Sequence, residues 1–361
     1  MLFLKHILLF QIITTLEYYN EKKPIIGIYG NPNPEEDYNI GESDYVPQTY
    51  INWIESLGGE VMIIHQWYLE EEIKLILSKI NGVLFLGGGR EFLLSAQWER
   101  KALLILNYSI EFNLPLWGTC LGFELINFLI SNDTNILNTD YNDFITLHEI
   151  IINNNTNNSI MFQLFDNRTF NILQFKNSTY YNHQKGISQL KFYNNSYLNN
   201  TFIITSLGVD SQGKEFINSI ESYNKSLNIF GVQFHPEMIP YKRWENFSLI
   251  NNDVITTSIL LGCKFIDVCR KNKNVFDIDR NKYDFIYTYE NITKFSSYDS
   301  QSNIFYFKKN DEKDNNERKN RSVIIFFYIV LSIVFCLILG FLFFRNKNED
   351  KNQPLVVENN I

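Results

Sequence analysis

The chain has 361 residues, of which 45% are apolar and 20% are charged, and its formal net charge at pH 7 is −8. This apolar content excludes a mostly disordered protein, and the excess of 40 acidic over 32 basic residues argues against nucleic acid as a partner. Its four cysteines are too few for a disulfide-stapled small domain and do not suggest a metal knuckle, so we expect no metal and no cofactor.

The first 19 residues have the pattern of a signal peptide. A short start containing Lys5 precedes an apolar stretch at residues 7–16, which has the length of a signal-peptide core and is too short to span a bilayer. Polar residues 17–23 separate this stretch from the next apolar run, which argues against a buried first strand or helix. We therefore predict a signal peptide at residues 1–19, with no obvious cleavage site.

Residues 22–310 alternate between short apolar runs and amphipathic segments. The predicted strands are residues 24–29, 60–64, 82–86, 114–117 and 229–234. The predicted helices are residues 50–57, 69–78, 99–112, 122–130 and 253–270. This alternation predicts an α/β fold with a central, mostly parallel sheet covered on both faces. Because ligands of such sheets bind at the carboxyl ends of the strands, we expect the site in the loops after Leu86, Trp117 and Phe234.

The rest of this range has weaker patterns. Residues 145–152, 201–206 and 216–221 are plausible strands, and an Asn-rich run at residues 153–158 indicates a surface loop. Residues 283–289 and 304–307 could form a hairpin before the charged run that follows.

One cysteine lies on a glycine-flanked turn between a predicted strand and a predicted helix. Residues 117–124 read Trp-Gly-Thr-Cys-Leu-Gly-Phe-Glu, and Gly118 and Gly122 permit a sharp turn around Cys120. Such an elbow exposes a side chain at the sheet edge, where a helix N-terminus stabilises negative charge. A lone cysteine more often only packs, but this context makes a nucleophile an equal alternative.

A histidine ends the strand predicted at residues 229–234. Residues 231–237 read Gly-Val-Gln-Phe-His-Pro-Glu, so that Pro236 fixes the backbone after His235 and Glu237 can turn back to hold the imidazole. A nucleophilic cysteine needs a base, and the base needs an orienting acceptor. We therefore predict Cys120 as the nucleophile, His235 as the base and Glu237 as the orienting carboxylate, although a histidine alone is more often a surface loop residue.

Three glycines end the strand predicted at residues 82–86. The backbone N–H of Gly88, together with that of Leu121, is a candidate to bind an oxyanion. We expect the neighbouring Gly87 and Gly89 to contact the substrate. A triple glycine by itself is more often a plain loop, so this prediction depends on the three loops meeting at one edge.

Residues 323–344 contain no charge and lie between Arg321 and Arg345. This length matches the ~20 residues that a helix needs to cross a bilayer. With the signal peptide, it predicts a single-pass type I membrane protein with a charged stalk at residues 308–322 and a cytosolic tail at residues 345–361. The catalytic domain would face the lumen or the outside, in the lysosome, the vacuole or at the cell surface.

Asn-x-Ser/Thr acceptors all precede this span, which predicts a glycoprotein. They include Asn107, Asn132, Asn154, Asn157, Asn167, Asn177, Asn194, Asn199, Asn224, Asn246 and Asn291.

Several segments together resemble the γ-glutamyl hydrolases. They are residues 23–28, 80–85 with the following glycines, 115–124, 231–237 and 286–293. This family of folate poly-γ-glutamate peptidases belongs to the class I glutamine amidotransferase-like superfamily, and the resemblance covers residues 22–310. It implies a flavodoxin-like sandwich, a Cys-His-Glu triad, and hydrolysis of folylpoly-γ-glutamates through a thioester on Cys120. It also implies a homodimer, and that His183 corresponds to a family histidine near the substrate.

The resemblance has two departures and leaves two alternatives open. The family usually has Pro-Gly-Gly-Ser where this chain has Leu-Gly-Gly-Gly-Arg-Glu at residues 86–91, so substrate contacts of Arg90 and Glu91 do not follow from it. The membrane span is the second departure, because the family resemblance implies a soluble enzyme. The first alternative is a glutaminase-type amidotransferase domain, which would need a synthase partner. The second is a catalytically silent membrane glycoprotein of the same fold, against which the intact triad counts.

Overall fold

The computed structural model describes residues 23–32, 43–153, 158–241, 252–285, 293–296 and 303–308. All of these belong to one unit of the chain that ends at Lys308. The predicted signal peptide, the stalk beyond Lys308, the span at residues 323–344 and the tail lie outside the described residues. Among the helices that are described, none combines the length and the apolar character needed to cross a membrane.

The described elements alternate between strands and helices in the first half of the chain. The strands are β1 (Ile25–Tyr29), β2 (Asn31–Pro32), β3 (Ser43–Pro47), β4 (Glu60–Ile64), β5 (Gly82–Phe85), β6 (Leu116–Thr119), β7 (Asp143–His148), β8 (Ile151–Ile152), β9 (Thr179–His183), β10 (Phe202–Val209), β11 (Glu215–Ser222), β12 (Ile229–Val232), β13 (Thr293–Ser296) and β14 (Asn303–Lys308). The helices are α1 (Gln48–Ser56), α2 (Glu70–Leu77), α3 (Gln97–Phe112), α4 (Leu121–Ser131), α5 (Asn167–Phe175), α6 (Gln189–Asn194), α7 (Ser196–Thr201), α8 (Met238–Tyr241) and α9 (Asn252–Lys271).

The central sheet has eight strands in the order β4-β1-β5-β6-β12-β11-β10-β8. The five strands from β4 to β12 pair in parallel, and the other three extend the sheet antiparallel. Strands β1, β5, β6 and β12 are buried along their whole length because apolar side chains fill both faces. The prediction of an α/β fold with a central, mostly parallel sheet is confirmed.

Helices cover both faces of this sheet. On one face α2, α3 and α4 contribute Ile76, Ile105 and Phe123 to one apolar cluster. On the other face α1 and α9 contribute Trp53 and Phe265 to a second cluster. The helices and strands predicted in this part of the chain agree with the structure to within two residues at either end.

The middle of the chain differs most from the prediction. The strand expected at residues 145–152 is divided into β7 and β8, and β7 pairs with β9 in a separate two-stranded sheet. Ile145 has a φ of 52°, and the register shifts between Asp143 and Thr146, so a bulge interrupts β7 near its start and the pairing with β9 resumes at Thr146. Helices α5, α6 and α7 were not predicted. Helix α5 begins with a capping box formed by Asp166 and Thr169.

The last strands belong to a four-stranded sheet in the order β13-β14-β3-β2. The partner of β14 in the hairpin is β13, which lies further along the chain than the expected residues 283–289. Strand β14 also pairs with β3, which places the end of the described chain beside the segment that leads into α1.

Candidate active site

Cys120 lies between β6 and α4, at the carboxyl edge of the central sheet. Its backbone has a φ of 49° and a ψ of −106°, a conformation that residues other than glycine rarely adopt. The side chain is buried, and the backbone N–H donates to the carbonyl oxygen of Val232 at 2.8 Å. A Cβ at position 122 would lie 2.3 Å from the carbonyl oxygen of Phe85, so the turn after Cys120 requires glycine there.

His235 follows β12, the strand next to β6. These strands pair in parallel with Val232 opposite Thr119, so the loops that follow them meet at one edge. Nδ1 of His235 lies 2.8 Å from Oε1 of Glu237, whose side chain is fully buried. The structure therefore brings Cys120, His235 and Glu237 to the same place.

The charges around His235 determine its protonation state. Burial alone would lower the pKa of the imidazole, but the charges of Glu237 and Cys120, together with hydrogen bonds to both side chains, raise the pKa to about 10. Because this value is well above neutral pH, the imidazole carries a proton beside the Cys120 sulfur. His235 is thus prepared to act as an acid as well as a base.

The glycine loop after β5 contacts the imidazole directly. A Cβ at Gly87 would lie 2.6 Å from both Cε1 of His235 and the hydroxyl of Tyr50, so this close approach requires glycine. The Gly87 N–H donates to the Tyr50 hydroxyl at 2.7 Å, and its carbonyl oxygen accepts from Nδ2 of Asn31 at 2.9 Å. The Gly87 N–H is therefore already bonded within the protein. A Cβ at Gly89 would meet no atom within 4 Å, so the space beside Gly89 is open.

Tyr50 is a site residue that sequence reasoning missed. Its hydroxyl lies 3.5 Å from Nδ1 of His235 as well as accepting from Gly87. Burial, and then the charges of Glu237 and Cys120, raise the pKa of Tyr50, so the phenol stays neutral. An aromatic residue on a helix normally indicates core packing, and no signal in the sequence distinguishes Tyr50 from its neighbours.

A second polar pair lies beside the nucleophile. Nε2 of Gln233 donates to Oε1 of Glu124 at 2.9 Å and lies 3.8 Å from Sγ of Cys120. Burial raises the pKa of Glu124 to about 7, against the hydrogen bond from Gln233 and the charges of Lys185 and His235, which lower it. Both residues lie within the motifs around Cys120 and His235, but the motifs alone gave neither a role.

His183 ends β9 and is buried. Its Nδ1–H donates to the carbonyl oxygen of Lys185 at 2.7 Å. Its Nε2 faces Oδ2 of Asp143 at 3.8 Å, which is too long for a hydrogen bond. Burial lowers the pKa of His183 to about 4. Both ring nitrogens thus face protein groups, and a contact between His183 and a substrate stays a prediction.

Three of the four cysteines lie among the described residues. Cys120, Cys263 and Cys269 are free, so Cys263 and Cys269 do not pair on α9, and Cys336 lies outside the described residues. Within the described ranges, no group of three or more His, Cys, Asp or Glu side chains could hold a metal ion.

Comparison with known proteins adds to this geometry. The model of the peptidase C26 family matches residues 24–237, a range that includes Cys120, His235 and Glu237. The chain is 32% identical to gamma-glutamyl hydrolase B of Dictyostelium discoideum, over 74% of this chain and 78% of the relative. It is 31% identical to the gamma-glutamyl hydrolase of Homo sapiens, over 71% of this chain and 80% of the relative. Among solved structures, the glutaminase domain of Trypanosoma brucei CTPS with bound acivicin is 14% identical, with a TM-score of 0.47, and the match covers 70% of this chain and 96% of that chain.

Proposed function

Because the chain belongs to the peptidase C26 family, we propose that it is a cysteine hydrolase that cleaves the γ-glutamyl bonds of folylpoly-γ-glutamates. The observation that supports this proposal most is the buried Glu237 carboxylate 2.8 Å from the imidazole of His235, which is hydrogen-bonded to the thiol side chain of Cys120. A sulfur nucleophile with a proton-carrying imidazole beside it is the arrangement that acyl transfer to cysteine needs.

The proposed reaction begins when the Cys120 thiolate, whose proton is held by His235, attacks the carbonyl carbon of the γ-glutamyl amide. Negative charge develops on the carbonyl oxygen, where the N–H groups of Gly88 and Leu121 stabilise it. His235 donates its proton to the nitrogen of the leaving amine, the C–N bond breaks, and a thioester remains on Cys120. The now neutral His235 takes a proton from water, the resulting hydroxide attacks the thioester, and the sulfur leaves.

The structure also supports the roles of the neighbouring groups. Leu121 is the first residue of α4, and the first N–H groups of a helix have no acceptor within that helix. Glu237 keeps the imidazole oriented and stabilises its charged form throughout the cycle. Gly87 contributes by allowing the loop to approach His235, while Gly89 borders open space that a substrate can enter.

The activity is tested with the full-length protein, its Cys120→Ala variant and a Cys263→Ala control. We expect the wild type and the control to release glutamate or glutamyl chains from folate pentaglutamate, and Cys120→Ala to be slower by at least ~10³-fold. Ammonia release from glutamine, without cleavage of the folate, would instead favour the glutaminase alternative. Inertness of the wild type toward both would favour the catalytically silent glycoprotein.

We also propose that residues 323–344 anchor a glycosylated type I membrane protein, with its catalytic domain in the lysosome, the vacuole or at the cell surface. The charge-free span and the signal-peptide pattern support this topology. The seven acceptor asparagines among the described residues are all exposed, as glycosylation requires. They are Asn107, Asn132, Asn167, Asn177, Asn194, Asn199 and Asn224.

Protease protection in sealed vesicles and endoglycosidase digestion test this topology. We expect the catalytic domain to be protected and to lose mass on digestion. An accessible, unglycosylated domain would contradict the proposed orientation. A homodimer is proposed from the family resemblance alone, and sedimentation of the detergent-solubilised protein tests it.

A further inference from the structure

Lys185 joins the loop after β9 to the glycine loop after β5. Its Nζ donates to the carbonyl oxygen of Arg90 at 2.8 Å and forms an ion pair with Oε1 of Glu91 at 2.7 Å. Arg90 and Glu91 directly follow Gly89. The ammonium group is therefore held against the loop that carries the proposed oxyanion donor Gly88.

The backbone beneath this lysine is fixed on both sides. The carbonyl oxygen of Lys185 accepts from the buried imidazole of His183 at 2.7 Å. The next residue, Gly186, exchanges two backbone hydrogen bonds with Asn138, at 2.8 Å and 3.0 Å. Because the backbone that carries the lysine is already ordered, binding a ligand at the ammonium costs less conformational entropy than it would at a lysine on a mobile loop.

The segment that carries Lys185 also contacts the loop of the proposed base, because the backbone N–H of His235 donates to the carbonyl oxygen of Tyr180 in β9 at 2.8 Å. Glu124 is one helical turn after Cys120, and Gln233 contacts both side chains. The charges of Lys185, His235 and Glu91 all act on the Glu124 carboxyl. Lys185 therefore belongs to a segment that contacts both the loop of His235 and the glycine loop, where the space beside Gly89 is open.

Arg90 and Lys185, the two cations of this region, form ion pairs that differ in burial. Arg90 pairs with Glu99 at 3.1 Å, and both side chains are almost completely buried, so this pair cannot open cheaply. Lys185 pairs with Glu91, whose side chain is 75% exposed. Although the Lys185 side chain is only 19% exposed, its partner carboxylate is largely solvated. The pair therefore contributes little free energy, and another carboxylate can replace Glu91 on the ammonium at little cost.

A γ-glutamyl residue carries such a carboxylate. Its α-carboxylate stays free when the γ-carboxyl forms the amide, whereas an α-linked glutamyl residue has its α-carboxyl in the peptide bond. We propose that Lys185 binds the α-carboxylate of the γ-glutamyl residue under attack, displacing Glu91, and thereby selects γ-linked over α-linked bonds. This inference rests on the proposed hydrolase function and assigns a specificity-determining residue to it.

The test compares two chromogenic substrates that differ only in this group. One is an N-acyl-γ-glutamyl p-nitroanilide with a free α-carboxylate, and the other has an α-carboxamide in its place. Neither leaving group carries a carboxylate, so any effect arises on the acyl side. We expect the wild type to prefer the carboxylate by ~10–100-fold in kcat/KM, as for a charge-assisted hydrogen bond, and Lys185→Gln to reduce this ratio to near 1.

A second variant should change this ratio in the opposite direction. Glu91→Gln removes the competing charge, so we expect it to raise the ratio by ~2–5-fold through a lower KM for the carboxylate substrate. Lys185→Arg, which keeps the charge, should retain most of the preference.

Three outcomes decide the matter. If Lys185→Gln slows both substrates equally, the lysine has only a structural role and the inference is wrong, although the hydrolase function stands. If Glu91→Gln lowers the ratio, the displacement is wrong. If the wild type cleaves neither substrate nor folate pentaglutamate, the proposed function fails and the inference fails with it.

Discussion

Replacing Glu237 with glutamine removes a buried negative charge 2.8 Å from Nδ1 of His235 while preserving the shape of the side chain. In the wild type this charge is one of the groups that raise the pKa of His235 to about 10. Below that pH the imidazole carries its proton, and above it the proton is lost. The Glu237→Gln variant should therefore lose the proton at a lower pH.

The size of this change follows from the separation of the charges. Each charge is delocalised over its group, so the centres of charge lie farther apart than the 2.8 Å between Nδ1 and Oε1. Two unit charges about 4 Å apart interact by about 4 kcal/mol at an effective dielectric constant of about 20. Since 1.36 kcal/mol corresponds to one pKa unit, the pKa of His235 in the variant should fall by about 3, to near 7.

The assay is the pH dependence of kcat/KM for a γ-glutamyl anilide, measured from roughly pH 5 to pH 10, because this quantity reports the ionisation of the free enzyme. We expect the alkaline decline of the variant to move to near neutral pH, and ¹³C NMR of labelled histidine should show the same change. Asp140→Asn is the control, because it removes an exposed carboxylate that pairs with Lys214 away from the triad. An alkaline decline at the same pH in Glu237→Gln and the wild type would refute the electrostatic role of Glu237.

Three further substitutions test the site and the fold. Gly87→Ala places a Cβ 2.6 Å from Cε1 of His235, so kcat should fall by ~10²-fold while the circular dichroism spectrum stays unchanged. An unchanged kcat would show that the loop can move to accommodate the methyl group. Glu124→Gln should stabilise the protein above pH 7 by up to ~3 kcal/mol and have little effect near pH 4, because burial raises the pKa of this carboxyl to about 7 and its ionisation disfavours the folded state. Denaturant unfolding at both pH values measures the difference, and an equal effect at both would contradict this reasoning. Ile145→Asn should raise the free energy of unfolding by ~1 kcal/mol, because a β-branched residue is strained at a φ of 52°; a less stable variant in the same experiment would refute the strain.

The sequence predicted the parallel half of the fold well because local and long-range signals agree there. The apolar runs of β1, β4 and β5 are separated by helices, and sheets of this kind have their loops at one edge. The placement of Cys120 and His235 in loops that follow neighbouring strands could therefore be expected before the structure was known.

The remaining parts could not be predicted for physical reasons. The bulge at Ile145 depends on pairing with β9, a strand that residue patterns did not reveal. Tyr50 reaches His235 only because β3 and α1 direct its side chain toward the glycine loop. Lys185 lies in an Asn-rich region without periodicity, and its partner Glu91 comes from a loop ninety-odd positions earlier. Such contacts depend on tertiary packing rather than on local pattern.

The position of β12 has a consequence for the order in which the protein forms. It is the last strand of the eight-stranded sheet to be synthesised, yet it lies between β6 and β11 in the interior of that sheet. A nascent chain that has only reached β11 already contains Cys120 but still lacks its base, and the two halves of the sheet have no strand to join them. Non-local pairings of this kind form late in folding. The loop that carries His235 therefore reaches Cys120 only when the strand that completes the sheet is in place.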